Sequence, residues 1–253
     1  MPSRNDLHKY QERMINFIYN APKCALWAGL GLGKTITTLT AIVDLIDSMA
    51  VAKVLIVAPL RVANSVWHKE AANWQHTKHL KFSIVTGSEK ERLSALHKTA
   101  DVYVINRENV SWIVEHYAKK WPFDMIVLDE ASSFKSASSQ RFKSLRKTIP
   151  FTNRLVELTG TPSPNGLLDI WSQMYLLDCG ERLGRSMTAY KQRFFETDYS
   201  GYKFKPVKSA DKIIHKLIDD IVISLNVDDY LEMPERIDTV IKVQLPQNRL
   251  AEY

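Results

Sequence analysis

Ala28-Gly29-Leu30-Gly31-Leu32-Gly33-Lys34-Thr35 places three glycines, an ammonium and a hydroxyl in one short stretch. Glycines let successive backbone N–H groups turn inward without Cβ clashes, which makes a nest for an anion. A short apolar run, Cys24–Ala28, precedes the stretch and an amphipathic segment follows it. The nest therefore opens a helix, whose positive end adds to the attraction. Lys34 supplies a point charge to the β and γ phosphates of a nucleotide, and the Thr35 hydroxyl can ligate Mg²⁺. Gly-Lys-Thr is the core of the Walker A pattern, here with Ala28 where a glycine often stands.

A second apolar run, Met125–Leu128, ends in two carboxylates, Asp129 and Glu130. Asp129 would hold Mg²⁺, directly or through water, and Glu130 would orient or deprotonate an attacking water. The cation's charge makes adjacent carboxylates tolerable there. The two segments together imply ATP and Mg²⁺ as ligands. Lys34, Asp129 and Glu130 are the catalytic candidates, and Thr35 and Asp129 hold the metal.

These groups need a frame to bring them together. Val54–Ala58 is β-branched and continuous, as in a strand buried on both faces. Phe82–Val85, Val102–Ile105 and Leu155–Leu158 read as further strands. Ile36, Leu39, Ile42, Val43, Ile46 and Met49 recur at helical spacing across Lys34–Met49. Helices are also expected at Asn64–Trp74, Glu89–Lys98 and around Ser139–Lys147. Strands alternating with helices imply crossover units. The expected fold class is α/β, a mostly parallel sheet with helices on both faces. In such sheets ligands bind at the carboxyl ends of the strands, where both motifs fall.

Beyond Gly160 the pattern changes. Asn165–Leu177 and Ala210–Ile221 look helical, joined by an aromatic and basic stretch around Tyr190–Lys208. Ile237, Thr239, Ile241, Val243 and Leu245 alternate with polar residues, a strand signature. The 233–236 stretch is the best boundary candidate. The resulting division is a nucleotide-binding lobe at 1–180, a helical extension of it at 181–235, and the start of another unit at 236–253.

Composition excludes several classes. The chain has 253 residues, 45% hydrophobic and 25% charged, which suits one sizeable core rather than two full α/β domains. The apolar runs are too short to cross a bilayer, and the polar N-terminus is not a secretory signal. Cys24 and Cys179 form no CxxC pair and read as buried apolar side chains in a reducing compartment, so a cytoplasmic setting is expected. The seven histidines show no metal-ligand spacing. A net charge of +6 is a weak pointer to a polyanionic partner. Between Ala131 and Val156 stand six basic residues, Lys135, Arg141, Lys143, Arg146, Lys147 and Arg154, and no acidic one; a solvated helix face and a phosphate-contacting surface both fit that run. Trp67, Trp74, Trp112 and Trp171 sit among apolar neighbours and read as packing aromatics.

With the two motifs in place, the chain resembles the first RecA-like lobe of superfamily-two helicase-like ATPases, and more narrowly the Swi/Snf type with its short phage and bacterial members. The resemblance covers nearly the whole sequence. Leu7-His8-Lys9-Tyr10-Gln11 resembles the opening motif, which implies that Gln11 reads the adenine edge beside the Ala28, Gly29, Leu30, Gly31, Leu32, Gly33, Lys34 and Thr35 cradle. Leu55–Leu60 followed by Trp67-His68-Lys69-Glu70, and then Asp101–Asn106, resemble motifs along the nucleic-acid path. Arg61, Asn64, Thr86 and Asn106, in loops after strands, are the contact candidates. Thr159-Gly160-Thr161-Pro162 resembles the segment coupling ATP state to the second lobe.

Position 132 carries serine where many relatives carry histidine, and Ile223–Asn226 lacks the arginines and lysine found in many of them. Family members use a second RecA-like lobe that supplies arginines across the cleft. The strand at Ile237–Leu245 looks like the entry into it, which implies a truncated chain or a split gene. The resemblance implies a DNA-dependent ATPase, translocase or helicase, on duplex DNA in preference to single strands, in the host cytoplasm if phage-encoded. It also implies weak activity alone and completion by a second lobe or a partner in trans. Two other classes stay open: an ATP-gated nucleic-acid-binding module regulating a nuclease or replication protein, and an unrelated P-loop NTPase.

Overall fold

The computed structural model describes residues 1–197, 204–226 and Tyr230. Its strands are β1 (Lys23–Ala28), β2 (Val54–Ala58), β3 (Phe82–Val85), β4 (Val102–Asn106), β5 (Met125–Asp129), β6 (Arg154–Thr159), β7 (Phe195–Thr197), β8 (Phe204–Pro206) and β9 (Val222–Leu225). Its helices are α1 (Lys9–Asn20), α2 (Lys34–Asp47), α3 (Leu60–Ser65), α4 (Trp67–Asn73), α5 (Glu89–Leu96), α6 (Val110–Tyr117), α7 (Gln140–Arg146), α8 (Ile170–Asp178), α9 (Met187–Phe194) and α10 (Ala210–Ile218).

Seven strands form one sheet in the order β3-β4-β2-β5-β6-β1-β9, and every pairing in it is parallel. β7 and β8 pair antiparallel as a separate hairpin. Side chains alternate across each strand, so the sheet divides the core in two. Cys24, Leu26, Ile56, Met125 and Val127 face a cluster closed by α1, α2, α3 and α4. Ala25, Trp27, Leu55, Val57, Ile126 and Leu128 face a cluster closed by α5 to α10. This is the expected α/β architecture, helices on both faces of a mostly parallel sheet. Each buried Leu, Ile or Val contributes about 1.5–3 kcal/mol relative to exposure, which explains the near-continuous apolar strands.

Several elements depart from the sequence expectation. α2 ends at Asp47, and Met49, expected on its buried face, is 91% exposed with φ +59°. Cys179, expected buried, is exposed because it occupies the left-handed position that ends α8. The single helix expected at Asn64–Trp74 is two, α3 and α4, joined at Val66. Val66 keeps its backbone bonds to Val62 and Glu70, so the corner breaks no hydrogen bond there. α8 starts at Ile170 rather than Asn165, because Gly166 has φ +102°. α1, α6, α9, β7, β8 and β9 have no counterpart in the expectation. The expected strand at Ile237–Leu245 and the boundary at 233–236 lie outside the described residues.

One residue violates the logic of the core. Glu157, at the centre of β6 between Ala25 and Leu128, is fully buried, and neither carboxyl oxygen has a partner among the described residues. Burial pushes its pKa well above the ordinary 4.5, so the folded chain holds it neutral. The native state then keeps a proton that the unfolded chain releases above about pH 4.5, so stability falls as pH rises from there toward the raised folded pKa. Glu157→Leu should raise the melting temperature by about 2–4 °C for each kcal/mol recovered. Both Glu157→Leu and Glu157→Gln should flatten the decline in melting temperature as pH rises above the ordinary carboxylate range. Scanning calorimetry across that range checks this, and an unchanged slope in Glu157→Gln rules the carboxyl out as its source.

Candidate active site

The site is assembled at the carboxyl ends of β1, β5 and β6, three adjacent strands of the sheet. β1 delivers the glycine-rich loop and α2 starts directly after it. Gly31 and Gly33 have φ of +85° and +71°, conformations that favour glycine. The amides of Leu30, Gly31 and Gly33 meet no protein acceptor among the described residues, so inward N–H groups are available to an anion. The Lys34 ammonium donates to the carbonyls of Ala28 and Gly29 at 2.6 and 3.0 Å, which curls the side chain across the loop. Thr35 is half-buried in the first turn of α2.

Gln11 is buried, and its Oε1 accepts from the backbone N–H of His8 at 2.9 Å. Its Nε2 lies over Gly33 so closely that a Cβ there would collide with it. The opening motif and the phosphate loop are thus packed into one unit, although β1 separates them in the chain.

β5 ends at Asp129, whose Oδ2 accepts from the indole N–H of Trp67 at 3.0 Å. Glu130 follows in the left-handed region, at φ 60° and ψ 60°. Its Oε1 accepts from the hydroxyls of Ser132 and, at 3.2 Å, Thr159. The Thr159 hydroxyl also accepts from the backbone N–H of Thr161 at 3.1 Å. Gly160 lies against the phosphate loop, with space for a Cβ only 3.4 Å from the Ala28 carbonyl oxygen. Lys34, Asp129, Glu130, Thr159, Gly160 and Thr161 therefore sit on one patch of the sheet edge.

The charges act on each other. Burial lowers the Lys34 pKa, while Asp129 and Glu130 pull it back up. Burial raises the Asp129 pKa, opposed by the Trp67 hydrogen bond and by Lys34 and reinforced by Glu130. No group of three or more His, Cys, Asp or Glu gathers as a metal cluster among the described residues. Mg²⁺ does not need one, because it is usually held by one or two carboxylates plus phosphate oxygens and waters. An Asp129 carboxylate beside an ammonium-lined phosphate nest fits that donor set.

The nucleic-acid candidates line the other half of the same edge. Arg61 and Asn64 are exposed on α3, and Thr86 follows β3 and donates to Asn64 Oδ1 at 2.7 Å. Asn106 is buried at the end of β4, and its amide is engaged by Glu108 and Asn109, so it shapes that loop from within. One contributor escaped the sequence reading, Trp67, which looked like simple packing; Ser132, noted there only as a departure from histidine, bonds Glu130 directly.

The model of the SNF2-related domain matches residues 10–253 of the chain. The chain belongs to the SNF2-related family. The putative protein p41 of Acyrthosiphon pisum secondary endosymbiont phage 1 is 38% identical over 96% of this chain and 55% of its own length. The mouse DNA excision repair protein ERCC-6-like is 30% identical over 72% of this chain and 15% of its own length. The chain therefore spans about half or less of these relatives. The Sulfolobus solfataricus SWI2/SNF2 ATPase core in complex with dsDNA has the same fold at a TM-score of 0.71 and 22% identity, covering 88% of this chain and 45% of that one. The RecA-like lobe architecture of the SNF2 type is thereby shared.

Gly33→Ala should cost about 1–2 kcal/mol from its positive φ alone, and more from the collision with Gln11. Adding Gln11→Ala should restore part, leaving the backbone strain. Thermal unfolding of the two single variants and the double variant measures this; strict additivity would show that the contact carries no energy.

Proposed function

We propose that this chain is the ATP-binding lobe of a DNA-dependent ATPase of translocase or helicase type, acting on duplex DNA in preference to single strands. The observation that carries the reading is the convergence of Lys34, Asp129 and Glu130 beside a glycine nest. The domain at 1–180 binds nucleotide, 181–235 extends the same lobe, and 236–253 begins a second RecA-like unit. A second lobe, or a partner in trans, completes the cleft. The greater length of the relatives supports this division, and β9 at 222–225 belongs to the central sheet. The setting is cytoplasmic, the host's if the gene is phage-borne; no described helix is long and apolar enough to cross a membrane.

The loop amides and Lys34 bind the β and γ phosphates, which requires the ammonium to leave the Ala28 and Gly29 carbonyls. Gln11 reads the adenine edge. Thr35 and Asp129 would hold Mg²⁺, which supplies charge neutralisation at the phosphates. Glu130 orients the attacking water. Because Ser132 and Thr159 bond the same Oε1, its other oxygen is the one left to take that water. The Thr159–Gly160–Thr161 segment touches both Glu130 and the phosphate loop, so it couples nucleotide state to the partner lobe. Arg61, Asn64 and Thr86 meet phosphates of the duplex, with Asn106 holding their neighbouring loop in shape.

Lys34→Ala should weaken Mg-ATP binding by about 10–100-fold, the value of one hydrogen bond to a charged group. Calorimetry reads this directly, and unchanged affinity would remove the phosphate-loop assignment. An arginine supplied across a cleft is worth about 10³–10⁵ in rate, so the lone lobe should hydrolyse ATP slowly even with duplex present. Brisk duplex-stimulated turnover at low protein concentration contradicts the two-lobe reading. Arg61→Ala should weaken duplex binding and reduce its log-log salt slope by about one.

A further inference from the structure

Asp129 is held by a residue from another part of the chain. Trp67 stands in the first turn of α4 and is completely buried in the cluster between the sheet and α1–α4. Its neighbours there are apolar, including Ala63, Ala71, Ile56 and Ala58. Packing in such a place asks only for volume, which a phenyl ring or a large aliphatic group also provides. The indole adds one polar atom, and that atom donates to Asp129 Oδ2 at 3.0 Å. An indole N–H is a donor and never an acceptor, so it bonds the carboxylate in one sense only. A carboxylate at the end of a strand otherwise rotates about its side-chain bonds, and its two oxygens exchange roles.

We propose that Trp67 is a positioning residue for this site: its N–H fixes the Asp129 carboxylate by Oδ2, so that Oδ1 is turned to a divalent cation bound with nucleotide. The proposal rests on the reading of Asp129 as the Mg²⁺ carboxylate. Partners that hydrogen-bond a metal-ligating group, without touching the metal, are worth about 10–100-fold in metal affinity.

The test is the Mg²⁺ dependence of binding of a fluorescent ATP analogue, read as fluorescence with and without chelator. Two variants remove the N–H: Trp67→Phe, and the chain carrying 3-benzothienylalanine at position 67, which keeps the bicyclic shape if the smaller ring does not support folding. The expected result is unchanged Mg²⁺-free binding and a half-saturating Mg²⁺ concentration raised about 10–100-fold in either variant. A wild-type Mg²⁺ dependence in the benzothienyl chain overturns the proposal and leaves Trp67 as packing. An equal loss of Mg²⁺-free and Mg²⁺-dependent binding overturns it too, because the ring then supports the loop as scaffold. If the wild-type chain itself binds the analogue without regard to Mg²⁺, the Asp129 reading fails first, and that outcome is visible before any variant is made.

Discussion

One ammonium and two carboxylates share a partly desolvated edge of the sheet, and the rest of the site is arranged around keeping them there. Burial works against all charge at that edge, lowering the pKa of Lys34 and raising that of Asp129. Their mutual attraction, the loop carbonyls on Lys34 and the indole N–H on Asp129 oppose it. Such an arrangement is tense without a bound polyanion and cation. Triphosphate oxygens offer the ammonium a better partner than carbonyls, and a divalent ion offers the same to the acids. The parallel sheet makes the convergence possible, because it directs β1, β5 and β6 to end at one edge.

The helices on the two faces serve different ends. α1 to α4 close the face on which Gln11, Trp67 and the glycine-rich loop meet, and Trp67 and Leu32 are packed into the apolar cluster there. α5 to α10 close the other face, where Glu157 sits without a partner. A buried acid that ionises unfavourably is a stability defect, and its place on β6, two residues before Thr159, puts the defect in the strand whose end bonds Glu130.

Much of this was readable in the residues themselves. Glycine, lysine and threonine at the end of an apolar run mark a phosphate nest, and Asp129-Glu130 after a β-branched run marks a strand end, because both depend only on local chain chemistry. The six strands from β1 to β6 follow the same logic. What could not be read depends on contacts across the fold. Trp67 is indistinguishable from a packing aromatic until its N–H is seen to face Asp129. Glu157 hides within Leu155–Leu158, where neighbouring strands decide whether an acid is solvated. β9 is too short and too mixed to show a period, and it is a strand because β1 offers it a partner. Met49 keeps the right period but falls past a helix end set by backbone geometry, and Cys179, an apolar residue type, sits at the left-handed end of α8.

Gly160 has a consequence of its own. Its backbone rests against Ala28 and Gly29 with no side chain between them. The gap between the two loops is about one methyl group wide, so a phosphate loop that swelled around a guest would close it and meet the neighbouring turn directly. Closure of that gap depends on the size of what fills the loop rather than on its charge.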